Sequence, residues 1–157
     1  MSPQRYAALI AACVTVLSPG VFAGPQQRPN FSGRWVIVLP EKGAGQEQVI
    51  KHDEKTLSKT PMSNRGGLPA NYQLDGVERR NVLPMNGEQI VITSKASWEG
   101  NKVVISSTES YPTGQKLNIR EVWSLDEQGR LVIEMSETAE RQPARVVKIV
   151  MQKKGPA

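Results

Sequence analysis

The sequence predicts an all-β fold, a single antiparallel up-and-down β-barrel of about eight strands. Three observations predict it. β-Branched, strand-favouring clusters recur at Val103-Val104-Ile105, Leu131-Val132-Ile133 and Val146-Val147. No eleven-residue window carries the i, i+3, i+4, i+7 apolar stripe of an amphipathic helix. Turn signals return at even intervals: Gly76, Gly87, Gly100, Gly114 and Gly129 are separated by 11, 13, 14 and 15 residues. Each interval holds one short strand and a tight turn. Regularly spaced strands joined by hairpins make a sandwich or a barrel, and sequential hairpins favour the barrel.

The first segment reads as an address. Met1 to Arg5 is short and positive, Tyr6 to Leu17 is an apolar run, and Ser18-Pro19-Gly20 breaks it. Val21-Phe22-Ala23 then places small residues at the −3 and −1 positions of a cut before Gly24. This is the pattern of a cleaved secretory signal peptide over residues 1–23, cut after Ala23. A membrane-spanning helix would need about 20 apolar residues. Ile10-Ala11-Ala12-Cys13 loosely resembles a bacterial lipobox, but the apolar run continues past it. Cleavage removes Cys13, the only cysteine, so the exported chain must be stable through its core without a disulfide. The expected location is periplasmic or secreted.

Residues 24–30 are polar, with two prolines, and read as a flexible leader to one domain over 31–154. Strands are expected to begin near Phe31, Glu47, Thr56, Tyr72, Gln89, Lys102, Lys116, Leu131 and Arg145. The charged run Lys51-His52-Asp53-Glu54-Lys55 reads as a solvated turn between two strands. Residues 58–71 form the one long irregular stretch, with Pro61, Gly66-Gly67 and Pro69.

Alternation assigns the inner face. In the strand from Lys116, the residues Leu117, Ile119, Trp123 and Leu125 share a face that must point to the core, and Glu121 falls among them. A three-residue loop before Arg130, with Gly129 in the left-handed region, puts Trp123 opposite Ile133 and Glu121 opposite Met135. By the same parity Ile105, Ser107, Glu109, Glu137, Val147, Ile149 and Arg145 face inward, with Arg145 near Glu137. A buried charge must be paired or wet, so these polar residues sit at a barrel mouth or line a wet cavity.

The stretch Phe-Ser-Gly-Arg-Trp (31–35) resembles the Gly-x-Trp opening of lipocalins and the similar opening of fatty-acid-binding proteins, together the calycins. The segment 123–134 followed by Arg145-Val146-Val147 is similar to the last three strands of fatty-acid-binding proteins, although the Tyr of that family's final Arg-x-Tyr is a Val here. Trp98-Glu99-Gly100 is similar to a hairpin of small exported bacterial proteins. The resemblance implies a calycin-like barrel plugged by Trp35, with an Arg near the chain end, Arg145 or Arg141, packed across that indole.

Other chemistry is thinly supplied. The single imidazole, His52, lacks the partners of a catalytic base or a metal site. Carboxylates alone do not make a glycosidase cleft without exposed aromatics. The chain carries 20 Lys+Arg against 15 Asp+Glu, but only Arg79-Arg80 and Lys153-Lys154 are adjacent basic pairs. That scatter argues against nucleic acid and for a mild attraction to anionic envelope surfaces. The expected function is an exported, non-enzymatic, monomeric binder of a small apolar or amphipathic ligand, with no cofactor and no metal. Its interior binding residues are expected to be Arg145, Glu121, Glu137, Trp123, Met135, Ile119 and Ile133. The alternative is a periplasmic protein-interaction module, an envelope chaperone or enzyme inhibitor, with a solidly packed barrel that works through loop 58–71.

Overall fold

The computed structural model describes residues 28–63, 69–85, 87–140 and 142–155. The expected signal peptide, its cut after Ala23, Cys13, residues 24–27 of the leader, residues 64–68 of the long loop and Arg141 lie outside the described residues.

Ten strands form one antiparallel sheet curled into a half-barrel. They are β1 (Gly33–Leu39), β2 (Glu47–His52), β3 (Thr56–Pro61), β4 (Ala70–Gln73), β5 (Arg79–Met85), β6 (Glu88–Glu99), β7 (Lys102–Ser110), β8 (Lys116–Leu125), β9 (Leu131–Ala139) and β10 (Arg145–Lys153). One 3-10 turn, Glu41–Gly43, follows β1. The spatial order is β4-β3-β2-β1-β10-β9-β8-β7-β6-β5. Every neighbouring pair except β1 and β10 is a sequential hairpin, so the meander is the one the turn spacing predicts.

The count is ten rather than about eight: nine starts are expected, and the one near Tyr72 covers two strands, β4 and β5. Between β4 and β5, Asp75 accepts hydrogen bonds from the Val77 amide (3.0 Å) and from both terminal nitrogens of Arg79 (2.8 and 2.7 Å), and Gly76 adopts φ +73°. That turn breaks the ladder and leaves β4 and β5 as the two edges of the sheet. Among the described residues, β4 packs against β6, next to β5, and an isolated bridge joins Asp75 to Ser97 of β6. Likewise, Ser58 to Pro61 belongs to β3 and Ala70 and Asn71 to β4, so the irregular stretch is shorter than expected.

The registers agree with the parity argument. Trp123 lies opposite Ile133, Glu121 opposite Met135 and Arg145 opposite Glu137. The seam between β1 and β10 pairs Trp35 with Lys153 and Ile37 with Met151. Around it Phe31, Trp35, Ile50, Leu57, Val103, Trp123, Leu131 and Met151 are essentially fully buried. Each such side chain contributes about 1.5–3 kcal/mol of burial. Trp35 spends no polar group unpaired: its indole N–H donates to the Phe31 carbonyl at 2.8 Å. Phe31 stacks on Trp98 at 6.0 Å between centroids and meets Trp123 edge-on at 6.3 Å.

The cation over Trp35 is Lys153, 5.5 Å from the ring centroid, and not Arg145. The seam decides this, because Trp35 pairs directly with Lys153 while Arg145 starts the same strand eight residues earlier. Gly33 explains the first half of the Gly-x-Trp motif. Its φ is +143°, and a Cβ there would lie 2.6 Å from the Lys153 Cε. Gly33→Ala is expected to destabilise the protein by about 1–3 kcal/mol, read from the denaturant midpoint. Repeating it in a Lys153→Ala background separates the two causes. Full recovery there would assign the cost to the lysine contact instead of the backbone.

Candidate functional site

The concave face is layered by register. The layer Val103–Trp123–Ile133–Ile149 is apolar throughout. One step along lies Ile105–Glu121–Met135–Val147, and beyond it Ser107–Ile119–Glu137–Arg145. β7, β9 and β10 therefore run from apolar to polar in the same direction, while β8 places Glu121 between Trp123 and Ile119. The Trp35 and Trp123 end is packed solid, and the opposite end thins out and reaches water.

At that thinner end lies a cavity of about 240 Å³, walled by Tyr72, Leu83, Ile92, Ile119 and Pro69 together with Lys59, Ser107, Glu109 and Glu121. It spans the break between β4 and β5, since Tyr72 comes from one edge strand and Leu83 from the other. A second hollow of about 290 Å³ shares Tyr72 and continues along the same break past Val77, Arg79 and Asn81. A larger hollow of about 810 Å³ lies beside Arg34, Glu47 and Met62.

Glu121 is held on both oxygens. Its Oε2 accepts from the Trp123 indole N–H at 2.8 Å, and its Oε1 faces the Lys59 ammonium at 3.9 Å. The Lys59 ammonium also lies 5.8 Å from the Trp123 ring centroid. Only 12% of the Glu121 side chain and 24% of the Lys59 side chain are exposed. Tyr111 donates to Glu109 Oε2 at 2.6 Å, and this bond pushes its hydroxyl pKa up to about 12. Burial, with added repulsion from Glu121 and Glu109, raises the Tyr72 hydroxyl pKa well above its ordinary value.

The seven residues expected to form the site part company here. Ile119 and Glu121 line the cavity. Trp123 and Ile133 are buried in the packed end. Met135 and Glu137 are half-buried beside the cavity on β9. Arg145 is corrected: it lies 3.6 Å from Glu137, as its register requires, but 72% of its side chain is exposed. As the first residue of β10, it reaches past the rim into solvent instead of into the interior.

Lys59 and Tyr72 were missed as site residues. Their signal was present as parity, because Lys59 shares a face with the buried Leu57, and Tyr72 with the buried Leu74. Glu109 was placed on the inner face but not in the site.

His52 is also corrected. It is not part of a solvated turn, although its neighbours Lys51, Asp53, Glu54 and Lys55 are exposed. The imidazole packs 5.2 Å from Phe31 and 5.3 Å from Trp98, and its Nδ1 accepts from the Phe31 amide at 3.4 Å. The other ring nitrogen is buried without a partner among the described residues, as is the Trp98 indole N–H. Burial lowers the His52 pKa below its usual 6.5, against the opposing pull of Asp53.

Among the described residues no group of three His, Cys, Asp or Glu side chains is placed to hold a metal ion. No helix of the described residues is long and apolar enough to cross a membrane. No known protein family and no curated protein matches the chain.

Two outcomes are expected. Arg145→Ala costs less than about 0.5 kcal/mol, because an exposed ion pair contributes little. A loss of several kcal/mol in a denaturant titration would contradict its exposed placement. For His52, a folded pKa below the unfolded one gives stability that is present above pH 6.5 and lost as the pH falls further. His52→Phe should flatten that acid limb in melts taken between about pH 7 and 5.

Proposed function

We propose that the protein is an exported, calycin-like carrier that holds a small amphipathic molecule at the half-open end of its barrel. The observation that supports this reading is the cavity of about 240 Å³ between Tyr72, Leu83, Ile92 and Ile119. Binding sites for small molecules are concave and mostly apolar, with a few polar groups that fix orientation. Here Lys59, Glu109, Glu121 and Ser107 are those groups. The packed Trp35 end gives the half-barrel a rigid base, and the break between β4 and β5 gives a way in. The charge excess on the chain fits a monomer drawn weakly to anionic envelope surfaces. The reading assigns no catalysis, no cofactor and no nucleic acid.

A second reading keeps the protein-interaction module. It is favoured by Val77 and Val82, 55% and 41% exposed beside the unpaired edge of β5. Such an edge accepts an added strand.

Native mass spectrometry of the protein from the periplasmic or secreted fraction tests the carrier reading. A non-covalent small-molecule adduct is expected on a chain beginning at Gly24. Ile119→Trp should fill the cavity and abolish the adduct, at a cost of no more than about 1–3 kcal/mol of stability. A bare mass, with no adduct recovered after exposure to envelope extracts, overturns the reading.

A further inference from the structure

The charges in the cavity point to the charge of its occupant. Lys59, Glu109 and Glu121 are the charged side chains in its wall, a formal balance of one ammonium against two carboxylates. Lys59 is engaged at Glu121, 3.9 Å away. Glu109 has only a neutral donor, the Tyr111 hydroxyl at 2.6 Å. Among the described residues, no Lys or Arg forms an ion pair with it. Both carboxylates act on the same space, since both raise the pKa of the Tyr72 hydroxyl that lines the cavity. A half-buried carboxylate without a cation is costly and is satisfied by an incoming positive charge. An incoming carboxylate would be a third anion beside two, with one lysine already in use.

Building on the carrier reading, we propose that the cavity selects a small free amine: a primary ammonium group seated at Glu109, in the negative field that Glu121 adds, with an apolar body against Leu83, Ile92 and Ile119. About 240 Å³ is room for roughly eight water-sized groups, which suits a chain of about that many carbons. Hydrogen bonds from the ammonium to the Glu109 carboxylate are charge-assisted and supply the orientation.

The test uses three probes of one length, n-octylammonium, 1-octanol and octanoate, titrated into the protein at pH 7 below their aggregation limits. Heat of binding and the fluorescence of Trp123, whose N–H rests on Glu121, report occupancy. Octylammonium is expected to bind tightest. Glu109→Gln and Glu121→Gln should each weaken it about tenfold and leave octanol unchanged. Lys59→Met, which removes the competing cation, should tighten it. If Glu121→Gln fails to fold because the half-buried Lys59 loses its counter-charge, Glu109→Gln and Lys59→Met carry the test. Binding of octanol or octanoate as tightly as octylammonium overturns the amine assignment and leaves the carrier reading standing. Octylammonium binding unchanged in the Gln variant also overturns the assignment. If none of the three probes binds, the assignment and the carrier reading fail together.

Discussion

The pairing of β1 with β10 is the constraint on which the rest of the structure depends. Without it the chain is two separate meanders, β1 to β4 and β5 to β10, each built from local hairpins. The seam joins the start of the domain to its end, over more than a hundred residues, so its loop-closure entropy must be met by what it buries. What it buries is Trp35 and Met151, in one core cluster with Phe31, and Lys153 lies over the indole. Gly33 belongs to the same event. A side chain at that position would meet the lysine that covers the tryptophan.

Closing the seam fixes the site at a distance. Because β7 to β10 run in unbroken register, the apolar-to-polar changes along β7, β9 and β10 line up with one another. The result is a stack of layers, solid at the Trp123 layer and polar at the Glu137 layer. No single residue specifies the hollow. It arises where the small Ser107 follows Ile105 on β7, and where the sheet is broken between β4 and β5. The Asp75-Gly76 turn sets that break, by pulling the backbone out of the ladder and tying Arg79 to itself.

The charges near the hollow are partly neutralised by the fold and partly left over. Glu121 is held by the Trp123 indole and faced by Lys59, so it belongs to the packed structure as much as to the cavity. Glu109 takes a hydroxyl but no cation. Arg145, placed among the interior residues by parity alone, neutralises Glu137 from the solvent side. The polar inner face thus carries an excess of negative charge inside a chain that is positive in sum.

Much of this was legible in the residues themselves. Alternation with a period of two assigns faces whatever the tertiary fold, and loop chemistry at Asp126 to Arg130 assigns register. The inner set on β7 to β10 and the pairings of Trp123, Glu121 and Arg145 were therefore determined locally. Parity fixes which face a side chain leaves by, but not how far along the barrel it sits. That is why Arg145 was read as interior and is exposed, and why His52, in a run of charges, is packed between Phe31 and Trp98. The strand count failed at one place: the expected starts pass from Tyr72 to Gln89, while the interval between Gly76 and Gly87 holds a strand of its own, β5. Only the tertiary structure could bring Lys59 and Tyr72 to Glu121 and Glu109, because those contacts cross the sheet between elements far apart in sequence, where no periodicity carries information.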